Sequence, residues 1–158
     1  MPHIHEKIDF TAEVFIIHKN KVLLRMHDKL KIWMSIGGHV ELDEDPVEAA
    51  VREAKEEVGL DVRIVGDAHG PADDSPKNRG YKYLIPPRYL GRHPVSEKHE
   101  HIVFVYFGTS ATNVLMDSMS QHERSHAVWA SREELDSMEL VPNVRFYAEE
   151  ALKTLGEK

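Results

Sequence analysis

The stretch from Gly38 to Leu60, GHVELDEDPVEAAVREAKEEVGL, constrains the fold more than any other part of the chain, because it encodes a short helix with both of its ends. Asp45 is a good N-cap, Pro46 fits the first helical position, and Glu48, three residues after the cap, completes a capping-box pattern. Gly59 suits the C′ position, where a left-handed backbone carries no Cβ penalty. At about 100° per residue, Val47, Ala50, Val51, Ala54 and Val58 fall within an arc of roughly 100°, the width of a stripe that faces a core. Glu53, Glu56 and Glu57, spaced i, i+3 and i+4, occupy a second arc beside the Ala50 edge of that stripe.

A solvated helix face intersperses lysine among its glutamates, whereas this arc holds only the three acids and Ala49, with Lys55 and Glu48 on the far side. Like charges at this spacing repel by a few tenths of a kcal/mol. A cation held between them turns the repulsion into attraction. Hard oxygen donors suit Mg²⁺ or Mn²⁺, which take carboxylates, waters and substrate phosphate oxygens rather than a closed all-protein cage.

Gly38, five residues, Glu44, seven residues, then Arg52-Glu53-Ala54-Lys55-Glu56-Glu57-Val58-Gly59-Leu60 resembles the Nudix box at every fixed position of that 23-residue pattern. The preceding Trp33-Met34-Ser35-Ile36-Gly37-Gly38 resembles the family's lead-in, with Ile36 where proline is usual and Asp43 where glycine is common. The resemblance implies a fold of the α/β (α+β) class, an α/β/α sandwich with a mixed β-sheet between helices, as one domain over residues 1–158. It implies a hydrolase that cleaves the diphosphate linkage of a nucleoside diphosphate joined to another group, with Mg²⁺ or Mn²⁺ as cofactor. Carried over by position, it implies Glu53, Glu56, Glu57 and the Gly38 carbonyl as metal ligands, with Glu53 taking a proton from the attacking water. Glu44 and Arg52 match positions that orient the catalytic glutamates. A further acidic ligand is expected from outside the box, and of Glu97, Glu100 and Glu123 the preferred one is Glu100.

Composition agrees with this chemistry. With 20 basic and 27 acidic residues the formal charge is -7, so polymeric nucleic acid is an unsuitable partner. An acidic chain accepts an anionic small molecule when metal ions bridge carboxylates and diphosphate. There are no cysteines, which excludes disulfides, thiolate metal sites and cysteine nucleophiles, and fits the cytoplasm. Neither a signal-like apolar core near Met1 nor a membrane-length apolar run appears, so no membrane partner is expected.

Phe10 to Ile17 and Lys21 to Met26 read as two strands around a turn at His18-Lys19-Asn20. Asp61 to Val65 reads as a half-buried strand, Ile102 to Phe107 as a strand buried on both faces, and Ala127 to Ala130 as another. Ser131 caps a short helix through Glu134 and Leu135, and Asn143 to Leu155 reads as an amphipathic helix.

The segment at about 66–97, with five prolines and three tyrosines, reads as a long insert that carries specificity. Tyr83 and Tyr89 are candidates to stack on a base and Arg88 to meet a phosphate, against the plainer expectation that such aromatics pack the loop. His99 and His101 alternate on one face as a metal pair would, yet without cysteine partners they read as polar strand-end residues.

Substrates compatible with the box are ADP-ribose, sugar nucleotides, (d)NTPs and dinucleoside polyphosphates, and Pro76, sixteen residues past Leu60, tilts toward ADP-ribose. The alternative is a non-catalytic nucleotide-sensing module of the same fold, which the intact Glu53, Glu56 and Glu57 disfavour. A Nudix-type isoprenyl diphosphate isomerase needs a cysteine that this chain lacks. The family includes many homodimers, though no stretch here marks an interface.

Overall fold

The computed structural model describes residues 7–27, 29–70, 79–116 and 126–157. β1 (Ile8–His18) and β2 (Lys21–Met26) form an antiparallel hairpin in the register Ile17↔Val22. Two short strands follow, β3 (Trp33–Met34) and β4 (Ile36–His39), and then the capped helix α1 (Pro46–Val58). The remaining elements are β5 (Val62–Ile64), β6 (Tyr89–Ser96), β7 (His99–Ser110), β8 (Ala127–Ala130), α2 (Arg132–Ser137) and α3 (Pro142–Leu155).

All eight of these strands belong to one mixed sheet. β1 and β7 lie at its centre and run parallel from Ile8↔Glu100 to Ile17↔Thr109, while every other pairing is antiparallel. The outer edge of β1 is shared: β2 takes its C-terminal end and β4 pairs with Thr11 to Val14. The outer edge of β7 is divided in the same way between β5 and β6. Both central strands are therefore covered on two edges and two faces, which suits the long apolar run Ile102 to Phe107 in β7.

Alternation along β1 sends Ala12, Val14 and Ile16 toward α1 and Phe15 and Ile17 toward α3. The first layer packs on Ala49, Ala50, Ala54 and Val58 of α1, the second on Val144, Ala148, Ala151 and Leu152 of α3. Each fully buried Val, Leu, Ile or Phe contributes about 1.5–3 kcal/mol. Small residues at the contact let both helices approach the sheet closely.

The stripe on α1 is rotated from the expected one. Ala49 is fully buried, while Val47 and Val51 are only partly covered. Because Ala49 lies in the arc of the acids, the rotation turns Glu53 and Glu57 toward β4, while Glu56 stays exposed.

β3, β4 and β6 were not expected. β3 and β4 are too short, and β4 too rich in glycine, for alternation to register. β6 lies inside the segment read as a long insert, where Gly91 and Pro94 argue against a strand. It forms because it is an edge strand paired only with β7, where proline is tolerated, with a register shift between Pro94 and Ser96. Among the described residues no helix is long and apolar enough to cross a membrane.

Candidate active site

The site grows from the ends of α1. Asp45 accepts hydrogen bonds from the Val47 and Glu48 amides at 2.9 and 3.0 Å, and Glu48 accepts one from the Asp45 amide at 2.9 Å. Gly59 closes the helix at φ 76, its amide donating to the Lys55 carbonyl at 3.0 Å. Lys82, from the segment before β6, donates to Asp45 at 2.6 Å and to Glu48 at 3.2 Å, so it ties that segment to the helix cap.

Arg52 holds the acids in place. Its Nη2 and Nε donate to the two Glu44 oxygens at 2.7 and 3.0 Å, and its Nη1 donates to Glu53 at 2.8 Å and Glu56 at 2.9 Å. A further Nη2 bond reaches the His39 carbonyl at 3.0 Å. The bond to Glu44, then that to Glu53, raises the guanidinium's affinity for its proton, and in return Arg52 holds the Glu44 carboxyl below its usual range. Glu44 also accepts from the Glu41 amide at 2.9 Å, which fixes it from the loop side.

β4 supplies a surface without side chains. A Cβ on Gly38 would lie 2.3 Å from Glu53 Oε1, so the carboxylate sits directly over the Gly38 backbone. A Cβ on Gly37 would lie 2.3 Å from the Ala12 carbonyl oxygen, so glycine is required there by the packing of β4 on β1. The Gly37 amide donates to Glu57 Oε2 at 3.3 Å, and Arg25 from β2 pairs with Glu57 Oε1. Burial raises the Glu57 carboxyl above its ordinary range, an effect that Arg25 and the Gly37 amide oppose.

Glu44, Arg52, Glu53, Glu56, Glu57 and the Gly38 backbone are thus brought together. Arg25 completes the group and was not expected; the available signal is a charged residue directly after the apolar run Val22-Leu23-Leu24 of β2.

Glu100 is placed apart from this group. It stands opposite Ile8, four residues along β1 from the Ala12 that pairs with Gly38, a separation of roughly 13 Å at about 3.3 Å per residue. Its carboxylate is taken by Lys7 at 3.0 Å and by Arg92, which hold it below its usual range. Glu97 is exposed, and Glu123 and Pro76 lie outside the described residues.

The aromatic candidates contact neighbouring rings. Tyr89 stacks among Phe107, Phe146 and Tyr147, with ring centroids 4.9–6.1 Å away. Tyr83 covers Gly70, where a Cβ would meet its ring at 2.2 Å, and packs on Tyr81. Arg88 is exposed, and its amide continues the ladder to the Val105 carbonyl at 2.8 Å.

On the α3 side of the sheet a cavity of about 460 Å³ is lined by Glu13, Met34, Arg92, His93, Val105 and Tyr147, among others. Met34 also borders a small cleft beside Arg25, Ser35, Gly37 and Glu57. Glu13 accepts a hydrogen bond from Ser35 at 2.8 Å, yet burial keeps its carboxyl above the ordinary range. Sequence reading missed Glu13; the available signal was an acid on the inward-facing phase of an apolar strand.

The oxygen donors of Glu53, Glu56, Glu57 and the Gly38 carbonyl form a set suited to Mg²⁺ or Mn²⁺, with no nitrogen or sulfur atom among them. The missing Cβ at Gly38 leaves room where the backbone meets Glu53.

A family model described as the NUDIX domain matches residues 9–153. A hydrolase of the NUDIX family from Clostridium perfringens is 38% identical over 93% of this chain and 97% of its own, with a TM-score of 0.77. An Ap4A hydrolase from C. elegans superposes at TM-score 0.56 with 21% identity, over 93% of this chain and 94% of its own. The MutT mutator protein from Bacillus halodurans gives 0.57 with 17% identity, over 91% and 82%. The last two similarities concern the fold alone.

Proposed function

This chain belongs to the Nudix hydrolase family, and from that premise we propose that it is a Mg²⁺- or Mn²⁺-dependent enzyme cleaving the diphosphate linkage of a small nucleoside diphosphate derivative. The observation that carries the reading is the convergence of Glu44, Glu53 and Glu56 on Arg52, beside the Glu57 carboxylate on Gly37.

Glu53, Glu56, Glu57 and the Gly38 carbonyl are the residues that hold the cation. When bound, it neutralises diphosphate charge and polarises the attacked phosphorus. Glu53 accepts the proton of the attacking water. Arg52 and Glu44 keep Glu53 and Glu56 in one orientation, so their placement costs nothing at the moment of reaction. Met34 borders both cleft and cavity, and we take the cavity beside Glu13 and Tyr147 as the place of the ligand's organic group when its diphosphate lies at the acids. ADP-ribose, sugar nucleotides, (d)NTPs and dinucleoside polyphosphates all meet that description.

The test is product analysis by mass spectrometry on a panel of these compounds with Mg²⁺, Mn²⁺ or chelator, beside Glu57→Gln. A metal-dependent product that the variant does not make supports the enzyme and identifies its substrate class. Ligand binding without any product across the panel would instead support the nucleotide-sensing alternative.

A further inference from the structure

The geometry points to a second metal site, distinct from the carboxylate cluster, in which Asp9, His39, His99 and His101 hold a borderline divalent cation of the Zn²⁺ class. These four come from three strands. Asp9 of β1 stands opposite His101 of β7, and His39 of β4 stands opposite Thr11, two residues further along the same face of β1. His99 shares the His101 face by strand alternation.

Their ligand atoms all lie within 4.8 Å of one another. Nε2 of His99 and Nε2 of His101 are 3.1 Å apart, and Asp9 Oδ2 is 3.3 Å from His99 Nε2 and 3.9 Å from His39 Nε2. Donors placed tetrahedrally at about 2.0–2.2 Å from zinc are themselves about 3.3–3.5 Å apart. The cluster is close to that spacing before any ion enters. Three imidazoles and one carboxylate fill the four positions of a closed tetrahedral site, and nitrogen donors select Zn²⁺, Co²⁺ or Ni²⁺ over Mg²⁺. An anion is disfavoured by the Asp9 carboxylate in the middle of the group. His93 of β6 stands opposite His101, with ring centroids 5.4 Å apart, and closes the β6 side.

The site lies on the sheet face away from α1. β4 connects the two: Gly38 faces Glu53, while the next residue, His39, gives its carbonyl to Arg52 and its imidazole to the histidine group. A cation here therefore pins β4 to β1 and β7, and its occupancy stabilises the strand on which the carboxylate cluster rests.

The test uses the full chain without an affinity tag, stripped by chelator, titrated with ZnCl₂ and separately with MgCl₂. Calorimetry and thermal melting are read together, with Co²⁺ absorption reporting coordination geometry. One Zn²⁺ per chain, a raised Tm and a tetrahedral Co²⁺ spectrum are expected, unchanged in Glu57→Gln. His101→Ala weakens Zn²⁺ by about 100-fold or more, as loss of one of four ligands does. Asp9→Asn, a gentler change, provides the same reading if His101→Ala fails to fold by circular dichroism. Zn²⁺ binding that survives both His101→Ala and Asp9→Asn, or that disappears in Glu57→Gln, would overturn the site. So would the absence of Zn²⁺ binding, which would leave the four residues as a hydrogen-bonded group only.

Discussion

Arg52 and Glu44 form a two-point ion pair, Nη2 to Oε1 at 2.7 Å and Nε to Oε2 at 3.0 Å, across eight residues of sequence. The pair leaves Arg52 Nη1 free to bridge Glu53 and Glu56. A planar fork makes this division possible, and a lysine ammonium does not reproduce it. Arg52→Lys should therefore lower kcat by about 10- to 100-fold with a smaller change in KM, the magnitude typical of residues that orient ligands. Steady-state kinetics checks this, and an unchanged kcat in a folded Arg52→Lys protein rules out the positioning role.

Gly37 and Gly38 should separate stability from activity. A Cβ on Gly38 meets only the end of the Glu53 side chain, which swings aside at little cost to the fold. A Cβ on Gly37 meets backbone, Ala12 O at 2.3 Å and Glu13 Cα at 2.7 Å, which cannot. Gly38→Ala is expected to keep its Tm while losing most turnover. Gly37→Ala is expected to lose about 2 kcal/mol or more of stability, the range of a forced backbone shift. Chemical denaturation beside an activity assay distinguishes the two; equal stability losses would show that Glu53 is not free to move.

Arg25 opposes the effect of burial on Glu57. In the metal-free protein the Glu57 carboxyl should titrate above its ordinary 4.5, and Arg25→Met should move it higher still because burial is then less opposed. Carboxyl-carbon NMR titration measures both. A lower value in Arg25→Met contradicts the pairing.

Glu13 links pH to stability. Its folded carboxyl holds a proton more tightly than the ordinary 4.5 of an unfolded chain, so the folded state binds more protons between 4.5 and the raised value. Its contribution to stability is present below 4.5 and is lost as pH rises through that window. Glu13→Gln removes the titration, so its stability relative to the parent should improve with rising pH there. Denaturant midpoints from pH 4 to 8 test the sign, and a constant difference between the two proteins refutes it.

Much of the fold was legible because its signals are local. The caps of α1, the β1–β2 hairpin, β5, β7, β8 and the two later helices each declare themselves within a dozen or so residues. β6 was not, since Gly91 and Pro94 are tolerated there only by its position at the edge beside β7. The placement of Glu100 was not legible for a related reason: whether a strand-end acid reaches a helix depends on register, and register placed it by Lys7 and Arg92.

By itself the sequence determined the box: three glutamates on one arc of a capped helix, with Arg52 and Glu44 at fixed spacing from them. Helical periodicity is a short-range rule, so it needs no partner to be read. Tertiary structure alone decided that Arg25 meets Glu57, that Glu13 lines a cavity, and that Asp9, His39, His99 and His101 converge. Those relationships join residues far apart in sequence: strand register brings Asp9, His39, His99 and His101 together, and the packing of α1 on the sheet brings Glu57 to Arg25.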